Sequence, residues 1–171
     1  MNVYFSGMIG SGKTTLGRRI AKELGWSFCD LDEEMNRILG YSFHRLVAEQ
    51  GWLPFRELEY AICKDFAGRE RSIVCLGGGT VRYQWNIDVL RGSGVMVLLE
   101  VSEAELVRRV QLADRPRVNS GKSLEQDIHL MWSRESAKYF ASADLVYRPE
   151  GKPVDQEVSE LIEILKDRGI A

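Results

Sequence analysis

The sequence predicts an α/β fold with a five-stranded parallel sheet and helices on both faces, three layers in all. Three observations predict it. Short β-prone runs alternate with helically spaced segments five times along the chain, which is the pattern of a parallel sheet. Residues 73–76 and 95–99 are apolar throughout, as strands covered on both faces are. The first β-prone run leads directly into Gly7-Met8-Ile9-Gly10-Ser11-Gly12-Lys13-Thr14, which reads G-x-x-x-x-G-K-T, the phosphate-binding P-loop pattern.

The elements follow in order. Residues 3–5 form the first strand, and 15–24 have apolar positions at helical spacing with Gly25 as C-cap. Residues 27–29 form a second strand ending at Asp30-Leu31-Asp32, so the two carboxylates, two residues apart on an extended segment, point the same way. A helix is expected over 33–39, stopped by Gly40, then a short one capped by Ser42. Pro54 suits the first turn of the next helix, through 62. The strand at 72–76 runs into Gly77, Gly78 and Gly79. A helix at 86–91, a strand at 94–100 and a helix at 103–112 capped by Ser102 come next. Residues 114–122 are polar and carry Pro116 and Gly121, a lid-like loop. A long helix over 123–140, a strand at 144–147 and an amphipathic helix at 154–166 complete the chain.

At 171 residues this is one domain, 1–171, with enough chain for a real core. A net charge of −2 argues against a nucleic-acid-coating protein. Cys29, Cys63 and Cys75 show no metal-ligand spacing, which fits reduced thiols and a cytoplasmic location. The first strand begins at the N-terminus, leaving no room for a signal peptide. No apolar run approaches the ~18 residues that span a membrane. A monomer acting on a small molecule is the expectation.

In the P-loop, Gly7, Gly10 and Gly12 let the backbone approach a phosphate, and Ser11, Thr15 and the helix N-terminus complete the cradle. Lys13 is expected to reach the β/γ-phosphates of ATP and Thr14 to ligate Mg²⁺. ATP or GTP fits the loop, but the chain lacks an N/TKxD-type guanine-reading motif and room for GTPase switches, so a small kinase fits better. Ligands on parallel sheets sit at the carboxyl ends of strands, where the P-loop, Asp30, Asp32 and the three glycines all fall. Asp32 is the candidate base or positioner for an acceptor hydroxyl, and Asp30 the candidate for Mg²⁺. Taken alone, strand-end aspartates are as readily helix caps. Arg56 reads as a bidentate cation for an acceptor carboxylate, or as a surface residue paired with Glu59. Arg115 and Arg117 flank Pro116 and suit a lid that stabilises the transferring phosphate. His44 and His129 read as surface residues, and Trp52 as packing that can also line an acceptor pocket.

This set resembles the shikimate kinase family over essentially the whole chain. The resemblance rests on residues 7–14, Phe28-x-Asp30-x-Asp32, Gly51-x-x-x-Phe55-Arg56-x-x-Glu59, the glycines 77–79, Arg115-Pro116, and Tyr139 with Ala143-Asp144. It implies a P-loop kinase fold, with an acceptor-binding helical region at about 33–62 and a lid at about 113–123. It also implies ATP- and Mg²⁺-dependent phosphorylation of the 3-hydroxyl of shikimate in aromatic amino-acid biosynthesis. By position, Asp32 would bind the shikimate hydroxyls and Arg56 the carboxylate. Gly77, Gly78 and Gly79 would approach the acceptor and the γ-phosphate, Arg115 would be the lid arginine, and Arg109 would lie near the adenine. Two positions depart from the family: Trp52 stands where Glu is usual, and Glu135 where an arginine precedes the matching tyrosine by four residues. Arg134 is one residue early, a rotation of ~100° on a helix. The expectation is that Arg134 still reaches the acceptor through a local distortion of that helix. Alternatively, Arg56 alone holds the carboxylate, with Lys138 as a looser charge. Runner-up functions are a gluconate-kinase-like or other small-metabolite kinase, and a weakly catalytic nucleotide-binding regulator.

Overall fold

A computed structural model describes residues 1–111, 121–149 and 151–171. Most of the expected lid, with Arg115 and Arg117, lies outside the described residues. The strands are β1 (Asn2–Ser6), β2 (Ser27–Asp30), β3 (Ser72–Cys75), β4 (Gly94–Leu99) and β5 (Leu145–Tyr147). All are parallel, in the order β2-β3-β1-β4-β5. The described helices are α1 (Lys13–Leu24), α2 (Leu31–Leu39), α3 (Phe43–Gln50), α4 (Trp52–Ala67), α5 (Gln84–Arg91), α6 (Glu103–Gln111), α7 (Leu124–Ser142) and α8 (Val154–Asp167).

Alternation along the strands sorts the core into two layers. On one face Val3, Phe5, Ile73 and Val97 pack with Leu16 and Ile20 of α1 and with Val158, Leu161 and Leu165 of α8. On the other, Tyr4, Val74, Met96 and Leu98 pack with Met35, Phe55, Phe66, Leu90, Ile128 and Tyr139. Each such side chain contributes about 1.5–3 kcal/mol on full burial. β1 therefore has to be apolar on both sides, which is why its sequence does not alternate. Its one fully buried amide is satisfied: Asn2 donates to the carbonyls of Phe66 (3.3 Å) and Arg69 (2.8 Å) and accepts from the Ser72 N–H (3.1 Å). That side chain ties the end of α4 to the start of β3.

Three boundaries differ from the sequence expectation. α2 starts at Leu31, because the Asp30 carboxylate caps it, accepting from the N–H groups of Asp32 (3.0 Å) and Glu33 (3.3 Å). Asp30 and Asp32 are thus a cap and a first-turn helical residue, not alternating residues of one strand. α4 is longer at both ends than expected, with Pro54 in its first turn; Gly51, at φ +83°, turns the chain between α3 and α4 in a backbone region other residues disfavour. Beyond the glycines, Thr80–Arg82 forms a 3-10 turn that precedes α5. None of the described helices is long and apolar enough to cross a membrane.

Candidate active site

β2, β3 and β1 are neighbours, so the segments leaving their carboxyl ends meet in one crevice. The loop after β1 is held tightly. A Cβ on Gly7 would stand 2.7 Å from the Leu99 carbonyl oxygen and 2.8 Å from Ser11 Oγ. The Ser11 N–H donates to the Met8 carbonyl (3.1 Å), and the Leu16 N–H to the Gly12 carbonyl (3.0 Å). The N–H groups of Lys13, Thr14 and Thr15 precede the first helical hydrogen bond, so they form an open anion-binding end on α1. Lys13 Nζ donates to the Gly7 (2.7 Å) and Met8 (3.0 Å) carbonyls across the same concavity. From α6, the Arg109 guanidinium lies over the Gly10 and Ser11 carbonyls while its Nε donates to Glu105 (2.7 Å). Two arginines hold the Glu105 carboxyl down at about 2. Gly7, Gly10, Ser11, Gly12, Lys13, Thr14, Thr15 and Arg109 are therefore gathered at one end of the crevice.

Thr14 Oγ1 donates to Asp30 Oδ2 at 2.8 Å. This hydroxyl–carboxylate pair suits Mg²⁺, which takes one or two protein oxygens and completes its shell with phosphates and water. No cluster of three acidic, His or Cys side chains is present among the described residues to form an all-protein cage.

The other end of the crevice is built around Arg56 and Glu59 of α4. Arg56 NH1 donates to both Glu59 oxygens, at 2.9 and 3.0 Å, and their side chains are only 11% and 1% exposed. Glu59 also accepts from Thr80 Oγ1 (2.9 Å) and Asn86 Nδ2 (3.0 Å), so the buried charge is fully hydrogen-bonded. Trp52, Phe55 and Tyr83 wall the guanidinium, with ring centroids 5.2, 4.8 and 4.7 Å from its carbon. Arg56 Nε is buried and has no hydrogen-bond partner among the described residues. A cation held this way, with donors unspent, suits an anionic ligand.

The three glycines lie between the two ends. A Cβ on Gly79 would meet Arg56 NH2 at 2.9 Å, and one on Gly77 would meet Asp32 Oδ1 at 3.3 Å. A Cβ on Gly78 would find nothing nearer than Ile9 N and Tyr139 OH, both at 4.0 Å. Gly78 is exposed and stands between the phosphate loop, through Ile9, and the Arg56 and Asp32 side chains beside its neighbours Gly79 and Gly77. The Asp32 carboxyl is raised above its ordinary value, first by burial and then by the Asp30 charge, with Lys13 pulling the other way. It is a stronger base than a free aspartate.

The sequence model of the shikimate kinase family matches residues 9–166. The chain belongs to the shikimate kinase family. It is 34% identical to the shikimate kinase of Geobacter metallireducens over 98% of this chain and 93% of that one. It is 36% identical to the shikimate kinase of Nitratidesulfovibrio vulgaris over 95% of this chain and 94% of that one. The crystal structure of shikimate kinase from Bacteroides thetaiotaomicron superposes with a TM-score of 0.88 at 28% identity, covering 97% of this chain and 98% of that one. A shikimate kinase from Acinetobacter baumannii in complex with shikimate shares the fold, with a TM-score of 0.90 at 23% identity over 99% of this chain and 95% of that one.

Arg134, expected from the sequence to reach the acceptor, is not brought to the other site residues. α7 runs unbroken from Leu124 to Ser142, without the distortion expected before Tyr139. Arg134 and Lys138 are exposed, whereas Glu135 and Tyr139 form the inward stripe one turn apart. The Tyr139 hydroxyl donates to the Gly78 carbonyl, and Glu135 pairs with Arg82 NH2 at 2.8 Å. Sequence reasoning missed Thr80, Arg82, Tyr83 and Asn86 altogether. Their only local signal was proximity to the glycines.

Proposed function

We propose that the protein transfers the γ-phosphoryl group of ATP to the 3-hydroxyl of shikimate, in aromatic amino-acid biosynthesis. The observation that carries this reading is the exposed position of Gly78, with the phosphate loop on one side and Arg56 and Asp32 beside its neighbours on the other. Family membership supports ATP as donor and a small-molecule acceptor.

Residue roles follow from position. The α1 N-terminus and the loop backbone hold the phosphates, Lys13 supplies positive charge to the transferring group, and Arg109 bounds the nucleotide end. Thr14 and Asp30 would hold Mg²⁺, which when bound neutralises phosphate charge as it builds up. Arg56 binds the acceptor carboxylate through donors that Glu59 leaves unspent. Asp32 orients the acceptor hydroxyl and takes its proton as the oxygen–phosphorus bond forms and the bond to ADP breaks. Gly77, Gly78 and Gly79 line the path between the two substrates. Arg115, outside the described residues, is proposed from sequence as a further cation on the transferring phosphate. Residues 33–62 would form the acceptor-binding region within one domain.

The test is ADP release with Mg²⁺·ATP and a panel of hydroxylated acceptors that includes shikimate and gluconate. The reading expects shikimate to give the highest kcat/KM. Preferred turnover of an acceptor without a carboxylate would overturn the assignment of Arg56.

A further inference from the structure

Arg56 reaches the acceptor side with its charge already matched by Glu59. A carboxylate approaching that pair meets attraction and, slightly further off, repulsion, so a second cation is needed to hold it firmly. Among the described residues of α7, Arg134 and Lys138 are exposed, about 100° around the helix from the inward stripe of Glu135 and Tyr139. Arg82 is differently placed. Its backbone N–H donates to the Gly79 carbonyl (3.1 Å), so its side chain leaves the same turn that carries the glycines. Its guanidinium pairs with Glu135, NH2 standing 2.8 Å from the carboxylate, and it lies within electrostatic reach of Tyr139, whose hydroxyl donates to the Gly78 carbonyl. Glu135 is 12% exposed and Arg82 45%, so the carboxylate is the anchored partner and the five-donor guanidinium keeps part of its surface open to solvent. Next in sequence, Tyr83 walls Arg56 at 4.7 Å, which ties the turn carrying Arg82 to the acceptor side.

We propose that Arg82 is the second cation for the acceptor carboxylate, and that Glu135 is the positioning residue that aims it. This deepens the kinase reading and rests on it. An inward glutamate is then no obstacle to an anionic acceptor, because its charge is spent on the arginine it holds.

The test compares shikimate with its methyl ester, which keeps the hydroxyls and loses the charge. Arg82→Gln should raise KM for shikimate about tenfold or more. It should leave KM for ATP, and the weak turnover of the ester, unchanged. Glu135→Gln should raise KM for shikimate about threefold, again with no change for the ester. Arg82 is half exposed, so its replacement is not expected to unfold the chain; equal melting temperatures check this. If Arg82→Gln is silent, or affects both acceptors alike, the inference is overturned while the kinase reading stands. If Glu135→Gln affects both acceptors alike, Glu135 is not positioning Arg82 for the carboxylate. If the wild-type protein ignores shikimate, the kinase reading and this inference fall together.

Discussion

Burial and the adjacent Asp30 charge favour the protonated form of Asp32 in the folded chain. The same environment makes the ionised form a better base, so at this residue activity and stability oppose each other. The sign follows from linkage. A carboxyl whose folded-state pKa is raised contributes its full stability below the ordinary aspartate value, about 3.9, and that contribution is lost as pH rises through the raised value. Asp32→Asn removes the loss. The variant should melt higher than wild type near pH ~7.5, and the gap should close toward pH ~4. Turnover should fall at least about a hundredfold, the scale for a positioned acid or base. Calorimetry at the two pH values with a steady-state assay checks both. An Asn variant that melts lower at neutral pH would mean that the contacts of the carboxylate outweigh its burial.

Between elements, α4 and the segment after β3 are joined through Glu59, which links Arg56, Thr80 and Asn86. Replacing it with alanine strands a buried guanidinium and two polar groups. Glu59→Ala should therefore cost about 3–5 kcal/mol, or prevent folding. Glu59→Gln keeps most of the hydrogen bonds and should be milder; urea unfolding ranks the two. This network was hard to read in the sequence, because Glu59 is 21 residues from Thr80 and 27 from Asn86, and nothing local marks a pairing across that span. The P-loop was legible because its pattern is contiguous: glycines, lysine and threonine stand at fixed offsets on one strand–loop–helix. Asp30 and Asp32 were legible as a pair but not as a cap and a helical residue, since capping competes with strand extension at that very boundary. Gly78 gives a second test at this scale. A Cβ there meets nothing nearer than 4.0 Å in the protein, yet it projects into the space proposed for substrate. Gly78→Ala should melt within about 2 °C of wild type while KM for the acceptor or kcat deteriorates at least about tenfold. A stable variant with unchanged kinetics would move the reaction site away from Gly78.

Across the whole molecule, the crevice is assembled from three adjacent strand ends and from helices on both sheet faces, so ligands report on the fold as a unit. A ligand that binds only the folded state at a hundred times its Kd adds about 2.7 kcal/mol. For a chain of this size, that corresponds to a rise in Tm of roughly 5–10 °C. Mg²⁺·ATP and shikimate should each produce such a rise, and the proposed contact at Gly78 predicts that the two together exceed the larger one. Lys13→Met separates the contributions. Lys13 Nζ bonds the Gly7 and Met8 carbonyls, at 2.7 and 3.0 Å, in a loop whose other ties remain. The variant should therefore keep its unliganded Tm within about 2 °C. Its loop N–H groups persist but the charge on the phosphates is gone, so at the same nucleotide concentration the ATP shift should shrink to a small fraction. The shikimate shift should survive, because Arg56, Asp32 and Arg82 belong to other elements. Phosphoryl transfer should be abolished. Differential scanning calorimetry with each ligand and with both gives all the comparisons in one series. A full ATP shift in Lys13→Met would place the phosphates elsewhere than over this loop, and loss of both shifts would mean that the two ends of the crevice fold as one unit rather than binding separately.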